Sequence, residues 1–377
     1  CTAHRVTPMQ SGDRMSFLLL SFVVSLLVTL AVVRSSARHG RLSSDTEMSG
    51  PQKFHSDPVP RIGGVGVLVA LVAGAALAHF MRPAHSLSLW LLLAASLPTF
   101  LGGFAEDMTK NVSAARRLTA TVVSAVLAVW LLDAVIHRTD IPGVDQLVAI
   151  EPFAIALTIF VVTGVANSVN IIDGFNGLAS MCVLIMMLAV AYVALQVGDR
   201  LVLTAAMIAA GAVLGFFVWN FPGGLIFLGD GGAYLLGFVL SELGVLLIVR
   251  NSLVSPLFPL LLCAYPIFET IFSIYRRRVL KGVASSQPDG IHLHTLIHRR
   301  LVRQLIGDTH EHRLRARNSM TSPYLWLLCS LSVIPAVAWW NNTAALSVFI
   351  VLFMISYVAL YWRIVRFKVP KWLVTRR

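Results

Sequence analysis

Long apolar runs, separated by short polar stretches, make up most of the chain. A helix needs about 20 apolar residues to cross the roughly 30 Å hydrocarbon layer of a bilayer, and about eleven runs approach that length. They lie at 15–33, 62–81, 87–105, 118–136, 152–167, 178–196, 201–219, 232–249, 253–275, 324–340 and 343–362. The pattern predicts an all-α, polytopic integral membrane protein of about eleven transmembrane helices.

The composition agrees with this pattern. Of 377 residues, 57% are hydrophobic and 13% are charged, which is more apolar surface than one globular core could bury, so a bilayer must cover the rest. Three of the four cysteines, Cys182, Cys263 and Cys329, lie inside apolar runs. They predict neither a disulfide framework nor a zinc site.

The two ends of the chain differ from the apolar middle. We treat 1–14 as a leader or upstream extension, 15–362 as the transmembrane domain and 363–377 as a basic tail. The first apolar run has no small-residue cleavage pattern and leads into a basic stretch that begins at Arg34. It is therefore predicted to be a retained helix rather than a signal peptide.

The net charge of +12 is explained by membrane topology rather than by nucleic-acid binding. Most Lys and Arg residues fall in connections on one side of the predicted helices, and such connections face the cytoplasm. This asymmetry predicts an outer N-terminus and an inner C-terminus, with basic clusters that attract anionic membrane lipid. No nucleic-acid partner is expected.

Nearly all the Gly, Asn, Asp and His residues that suggest a functional site lie in the connections predicted to be cytoplasmic. These are 34–61, 106–117, 167–177, 220–231 and 276–323. Function is therefore expected on the inner face of the membrane.

The first of these signals is GGFAEDMTKNVSAARR, where Glu106 and Asp107 end one apolar run and Arg116 and Arg117 begin the next. A charge inside the hydrocarbon costs on the order of 3 kcal/mol, so adjacent acids there would need partners. At the membrane interface they could equally be solvated loop residues. The motif alone leaves both interpretations open.

The second is NSVNIIDGFNGLAS, in which Asn167, Asn170 and Asp173 recur every three residues. They share one side of a helix end, and Gly174 permits the tight turn that follows. A polar helix cap is the alternative. Three such side chains exceed what a cap requires, which favours a binding site.

The third is NFPGGLIFLGDGGAYLLGF, with Asp230 between glycines at the start of another apolar run. Asp230 could cap that helix. The small neighbours also clear space around the carboxylate, as a metal or phosphate site requires.

The fourth is QPDGIHLHTLIHRRLVR, with His292, His294 and His298 before Arg299. The three histidines could form a zinc site, or the segment could be a solvated basic loop. Clustered His and Arg side chains more naturally bind phosphate oxygens.

Three further polar positions are weaker signals by themselves. Arg61 lies in HSDPVPRIGGVG before the second apolar run, and Glu242 and Glu269 lie inside later runs. Either acid could simply bond to neighbouring helices.

Taken in order, these motifs resemble the polyprenyl-phosphate N-acetylhexosamine-1-phosphate transferases, the superfamily that includes the phospho-MurNAc-pentapeptide translocase. GGFAEDM occupies the place where the family typically has two adjacent aspartates, and NIIDGFNGLA resembles the family's NxxDGxDGLA segment. FLGDGGAYLLGF resembles its FxGDxGSxxLGF segment, and DGIHLHTLIHRR resembles its histidine loop. The resemblance runs from about Pro58 to Arg303.

The resemblance implies a Mg²⁺-dependent glycosyl-1-phosphate transferase, with Mn²⁺ as an alternative ion, whose catalytic domain is the transmembrane domain. An undecaprenyl-phosphate-like acceptor would attack a UDP-N-acetyl sugar at the β-phosphorus, on the cytoplasmic face of a bacterial inner membrane, and release UMP. Direct displacement and a covalent carboxyl-phosphate intermediate both fit these residues. A homodimer would also agree with the resemblance.

The same resemblance gives the site residues their expected roles. Catalysis would use Glu106, Asp107 and Asp173, and the metal ion would be bound by Asp230 and Asp107. The nucleotide or sugar would contact Asn167, Asn170, Gly174 and Asn176. The phosphates would be bound by Arg61, His292, His294, His298 and Arg299.

Three positions depart from the family pattern. Glu106 replaces the first acid of the usual pair, and Asn176 replaces the second Asp of the DGxDG segment. The histidine loop has HLH in place of three successive histidines, which favours the branch that initiates O-antigen-like surface polysaccharides. Two other functions stay open: a transporter of nucleotide-linked or lipid-linked sugars, and a noncatalytic scaffold with an altered site.

Overall fold

The computed structural model describes residues 11–39, 59–280, 292–302 and 311–366. Regular structure in these residues is helical, which confirms the predicted all-α class. Ten of the described helices are long and apolar enough to cross a membrane. The protein is therefore a multi-pass membrane protein.

The ten long helices follow one another with short connections. They are α1 (Ser11–His39), α2 (Gly64–Met81), α3 (Pro83–Thr109), α4 (Ala114–Leu132), α6 (Glu151–Ile172), α7 (Leu178–Gln196), α8 (Arg200–Asn220), α9 (Gly229–Arg250), α13 (Glu311–Ala338) and α14 (Thr343–Val365). Four described helices are shorter: α5 (Val144–Val148), α10 (Leu257–Leu262), α11 (Ala264–Tyr275) and α12 (Leu293–Ile297). A π-helical turn follows each of the last two, at Arg276–Leu280 and His298–Val302.

The predicted run 253–275 accounts for the difference between about eleven expected spans and ten observed. It forms α10 and α11, which are separated at Cys263. Pro266 has no backbone N–H to donate to the carbonyl of Leu262, and its ring crowds that carbonyl. The apolar run is present as predicted, but it is divided into two helices.

Two helices extend beyond their predicted limits. Helix α1 begins at Ser11, ahead of Met15, and continues to His39, so Arg34 and Arg38 lie on the helix rather than in a loop. Helix α13 begins at Glu311, inside the connection predicted at 276–323. Polar residues continue both helices because their backbone hydrogen bonds do not depend on side-chain polarity.

Helix α9 is the centre of the molecule. Every residue from Gly229 to Ile248 is buried, as expected of a helix that is apolar on all sides. Helices α2, α3, α6, α7 and α8 surround it. Helices α1 and α14 present large apolar side chains outward, among them Leu19, Leu27 and Ile355, where lipid would cover them.

The two ends of α9 carry different chemistry. At its last turn, Arg250 Nε donates to Asp199 Oδ2 at 2.8 Å, and Asn251 Nδ2 donates to the same oxygen at 3.0 Å. At its first turn lies Asp230. The two ends are about 33 Å apart, because each helical residue rises about 1.5 Å.

Candidate active site

Glycines let three helices meet around the start of α9. A Cβ on Gly64 of α2 would lie 2.5 Å from the Cα of Gly232, and one on Gly103 of α3 would lie 2.5 Å from the nitrogen of Gly231. Real Cβ atoms do not come this close to other atoms, so the backbones touch only because side chains are absent. The glycines around Asp230 thus serve helix packing as well as space for a ligand.

The segment before α2 pairs with the segment before α9. Phe227 N donates to Pro60 O at 2.9 Å, and Gly63 N donates to Phe227 O at 3.0 Å. This pairing carries Arg61 to the first turn of α9. Gly229 has a φ of +77°, and a Cβ there would overlap the carbonyl oxygen of Arg61.

Asp107 caps α9 from the end of α3. Its Oδ1 accepts a hydrogen bond from Asp230 N and its Oδ2 accepts one from Gly231 N, both at 2.9 Å. Free backbone N–H groups at a helix start favour a negative partner. Asp107 is 5% exposed, so this contact holds two distant motifs together inside the protein.

Asp230 is surrounded by positive and amide groups. Arg117 of α4 forms an ion pair with its Oδ2, Arg61 lies 3.7 Å from its Oδ1, and Asn170 Nδ2 donates to that oxygen at 3.2 Å. Because a buried carboxylate is costly unless it is paired, these contacts explain how Asp230 remains in a buried position.

Helix α6 presents its polar face to α9. Asn170 contacts Asp230, and one turn earlier Asn167 Oδ1 accepts a hydrogen bond from the hydroxyl of Tyr234 at 3.1 Å. The spacing therefore places both amides on one face, as the sequence predicted.

Asp173 lies just after the last residue of α6. Burial raises the pKa of its carboxyl to about 7, and the positive charge of Arg61 opposes that rise. Both protonation forms of Asp173 are therefore present near neutral pH. Asp173 and Asp107 also lie close enough to repel each other, so Asp107, Asp173 and Asp230 belong to one end of the bundle.

Glu106 points to a different partner from Asp107. Its Oε2 accepts a hydrogen bond from Val112 N at 2.7 Å, which closes the turn between α3 and α4. The predicted pair of acids is thus divided: one acid holds the turn and the other holds α9.

Asn176 makes contacts with helix α13 and is not among the residues that contact Asp230. Its backbone N donates to Asn318 Oδ1 at 2.8 Å, and its backbone O accepts from Ser322 Oγ at 2.6 Å. Its side chain donates to Pro222 O and Ser319 Oγ, each at 3.3 Å. The prediction that Asn176 contacts the nucleotide or sugar stays a prediction, and the observed side chain is 1% exposed.

The histidine segment, which we define as residues 292–302, lies against the turn after α6. A Cβ on Gly174 would lie 3.4 Å from His294 Nε2, and Phe175 packs on the rings of His294 and His298. His298 Nδ1 lies 3.1 Å from Thr321 Oγ1 of α13, while Arg299 is exposed. The second and fourth motifs are therefore neighbours.

Two sets of side chains bear on cation binding. The carboxylates of Asp107, Asp173 and Asp230 lie at one end of the bundle, and carboxylate oxygens suit a hard ion such as Mg²⁺. Glu269, His292 and His294 offer one oxygen and two nitrogens that lie within 4.8 Å of one another. The second group would suit a softer ion.

Comparison of the sequence with known proteins assigns the chain to a family. The family model of glycosyl transferase family 4 matches residues 89–248. The undecaprenyl-phosphate alpha-N-acetylglucosaminyl 1-phosphate transferase of Thermotoga maritima is 30% identical over 250 residues, which cover 66% of this chain and 72% of that protein. This chain belongs to glycosyl transferase family 4. The resemblance to polyprenyl-phosphate N-acetylhexosamine-1-phosphate transferases is confirmed.

Two further relatives of this family 4 chain have similar descriptions. The probable undecaprenyl-phosphate N-acetylglucosaminyl 1-phosphate transferase of Bacillus subtilis (strain 168) is 26% identical over 350 residues, which cover 92% of this chain and 91% of the relative. The decaprenyl-phosphate N-acetylglucosaminephosphotransferase of Mycolicibacterium smegmatis is 29% identical over 306 residues, which cover 72% and 70%.

Sequence reasoning missed three side chains of this family 4 site. The sequence pattern predicts Arg117 only as the start of a helix, gives no signal for Tyr234 and assigns no role to Glu269. Tyr234 follows Asp230 by four residues, so helical spacing could have placed it on the same face. Nothing in the local sequence indicates that Arg117 reaches Asp230, because the two belong to different helices.

Proposed function

We propose that the protein transfers an N-acetylhexosamine-1-phosphate-type group from a UDP-sugar to undecaprenyl phosphate or a similar polyprenyl phosphate. One observation carries this proposal: Asp107 and Asp230, from separate helix ends, meet beside Arg61 and Arg117 at one end of the bundle. The names of the relatives support the lipid acceptor and an N-acetylglucosamine-type donor.

The charges at the site suit a diphosphate donor. An oxygen of the acceptor phosphate attacks the β-phosphorus of the UDP-sugar, the bond between that phosphorus and the bridging oxygen breaks, and UMP leaves with the bridging oxygen. A phosphate monoester is already largely ionised at neutral pH, since its second pKa is about 6. A strong general base is therefore unnecessary, and Arg61 and Arg117 can stabilise the negative charge of the transferred group.

The oxygen donors around Asp230 fit Mg²⁺. We propose Asp230 and Asp107 as the residues that would hold the ion, with Asp173 beside them, because each oxygen of Asp107 keeps a lone pair beyond its one backbone hydrogen bond to α9. When bound, Mg²⁺ neutralises charge on the diphosphate. Asp107 also fixes the backbone at Asp230 through its two hydrogen bonds to α9.

We further propose that the site faces the cytoplasm of a bacterial inner membrane and that the lipid product starts an O-antigen-like surface polysaccharide. The asymmetric distribution of Lys and Arg supports the orientation. The HLH histidine loop supports that branch of the family, and a nucleotide-activated donor is available only inside the cell.

The test uses the full chain in lipid nanodiscs with Mg²⁺, UDP-N-acetylglucosamine and undecaprenyl phosphate. We expect UMP release, a lipid product whose mass matches the transferred sugar phosphate, and loss of both when EDTA is added. Asp230→Asn should abolish turnover. Asp199→Asn is the matched control, because Asp199 is also a buried, ion-paired acid but lies at the far end of the bundle.

Turnover by folded Asp230→Asn protein at the wild-type rate would contradict the proposal. Movement of UDP-sugar or lipid-linked sugar across proteoliposomes without any transferred product would instead support the transporter alternative.

A further inference from the structure

Glu269 connects three segments that are distant in sequence. Its Oε1 accepts a hydrogen bond from the backbone N of Leu293 at 2.7 Å, and its Oε2 accepts one from the hydroxyl of Tyr357 at 3.0 Å. Leu293 belongs to the histidine segment and Tyr357 to α14. The side chain of Glu269 is 1% exposed, so this acid of α11 contacts other parts of the protein rather than solvent.

Both nearby imidazoles turn the same nitrogen toward this carboxylate. His292 Nδ1 lies 3.2 Å from Glu269 Oε1, and His294 Nδ1 lies 3.7 Å from the same oxygen. The two rings are nearly parallel, with an interplanar angle of 8° and centroids 5.0 Å apart. A single acid therefore faces both side chains.

The opposite nitrogen of His294 faces the second motif. Its Nε2 is the atom that a Cβ on Gly174 would meet first, at 3.4 Å. Because the two nitrogens of an imidazole lie on different sides of the ring, a partner for Nδ1 fixes the direction of Nε2. Glu269 thus determines which nitrogen faces the turn that begins at Asp173.

We infer that Glu269, held by Tyr357, is a positioning residue that orients the imidazoles of His292 and His294 so that their Nε2 atoms meet the donor's phosphates. This inference rests on the proposed function. An imidazole whose Nδ1 faces a carboxylate, here at 3.2 Å for His292 and 3.7 Å for His294, has one favoured ring orientation, as in the pairs that support metal-bound histidines.

Contacts to α14 strengthen the same arrangement. Arg300, from the end of the histidine segment, donates to the backbone O of Ile364 at 2.7 Å, and Arg276 lies over the ring of Tyr361 at 5.9 Å. The last described helix therefore supports both the histidine segment, through Arg300, and the end of α11, through Arg276. The family model ends at residue 248, so this support lies outside the matched region.

The first test compares steady-state kinetics of Glu269→Gln, Tyr357→Phe and Glu242→Gln in nanodiscs. Glutamine keeps the shape of Glu269 but gives the histidines a neutral partner. We expect the KM for the UDP-sugar to rise about tenfold, because the charged contact to both rings is lost. Tyr357→Phe should raise it by a smaller factor. Glu242 is a buried acid of α9 and serves as the control, with KM expected within about twofold of wild type.

A second measurement separates positioning from general stability. In a His292→Ala, His294→Ala background, Glu269→Gln should change KM by less than about twofold, because residues that act through one another are not additive. A purely structural acid would lower the yield of folded protein and kcat in both backgrounds. An equal tenfold effect in both backgrounds would overturn the inference.

A spectroscopic readout does not depend on turnover. In protein labelled with ¹⁵N-histidine, we expect protonated Nδ1 signals for His292 and His294 that shift in Glu269→Gln and stay unchanged in Glu242→Gln. Unchanged signals in Glu269→Gln, or one Zn²⁺ per chain that this variant loses, would overturn the inference. Absence of transfer by wild-type protein would instead count against the proposed function.

Discussion

At Asp230, charges from several helices compensate one another within a few ångströms. The carboxylate contacts Arg117 of α4, Arg61 before α2 and Asn170 of α6. An incoming diphosphate would compete with the carboxylate for the same two guanidinium groups. The two arginines are therefore the side chains expected to respond to the proposed diphosphate donor.

Arg117 gives a prediction at the residue scale. Arg117→Gln should lower kcat/KM for transfer by about a hundredfold, the size expected when one preorganised charged donor is removed from a phosphate site. The measurement is UMP release at several donor concentrations. Arg116→Gln is the control, since Arg116 is exposed beside it, and an equal loss in both variants would mean that only the general charge of this turn matters.

Helix ends, rather than whole helices, build the site. Helices α3 and α6 end there, and α4 and α9 begin there, so backbone groups left free at the termini are available to side chains of other helices. Asp107 uses two such groups of α9. Asn220, at the end of α8, accepts a hydrogen bond from Gly177 N at 2.6 Å and donates to Ile226 O at 2.7 Å, which joins the second motif to the third.

Gly229 gives a prediction at the element scale. Its positive φ and the nearby carbonyl of Arg61 leave no room for a Cβ. Gly229→Ala should therefore lower the midpoint of thermal unfolding by several degrees, for a strain of about 1–2 kcal/mol or more, and should also reduce transfer.

Gly164→Ala is the matched control within α6. A Cβ on Gly164 would meet nothing within 4 Å, and alanine is the better helix former by about 1 kcal/mol. We expect an unchanged or slightly higher unfolding midpoint. A fall as large as that of Gly229→Ala would show that glycine content, and not the close approach at Arg61, determines the stability.

On the scale of the whole molecule, the ion pairs of the described residues lie at two ends, and Glu242 is buried between them. The end at Asp230 holds the acids, arginines and histidines, whereas the other end holds the bond between Asp199 and Arg250. The bonds of Arg138 to the backbone of Ser252 and Val254 also lie at that far end. A one-sided site agrees better with an enzyme supplied from one compartment than with a carrier whose site lies near the midplane.

Membrane orientation gives the prediction at this scale. Asn111→Cys, in the exposed turn beside the site, should react with a membrane-impermeant maleimide only in inside-out vesicles, and Ser252→Cys only in right-side-out vesicles. Both variants carry Cys1→Ser. The other native cysteines are buried and should stay silent: Cys182, Cys263 and Cys329. The opposite labelling pattern would refute a cytoplasmic site.

The sequence predicted the membrane class and most helix positions because hydrophobicity is a local property that each segment carries by itself. It placed Asn167 and Asn170 on one face because helical spacing is local as well. It did not predict the division at Cys263 of a run that is apolar throughout. There the backbone chemistry of Pro266 matters more than hydropathy.

The sequence alone determined which residue types are available at one side of the membrane, and it was enough to assign the family. Only the tertiary structure decided their partners: Asp107 with the start of α9, Glu106 with its own turn, Asn176 with α13, and Glu269 with the histidines. Those pairings depend on how closely glycines allow separate helices to approach. Such distances arise from packing between segments far apart in the chain, which no local pattern specifies.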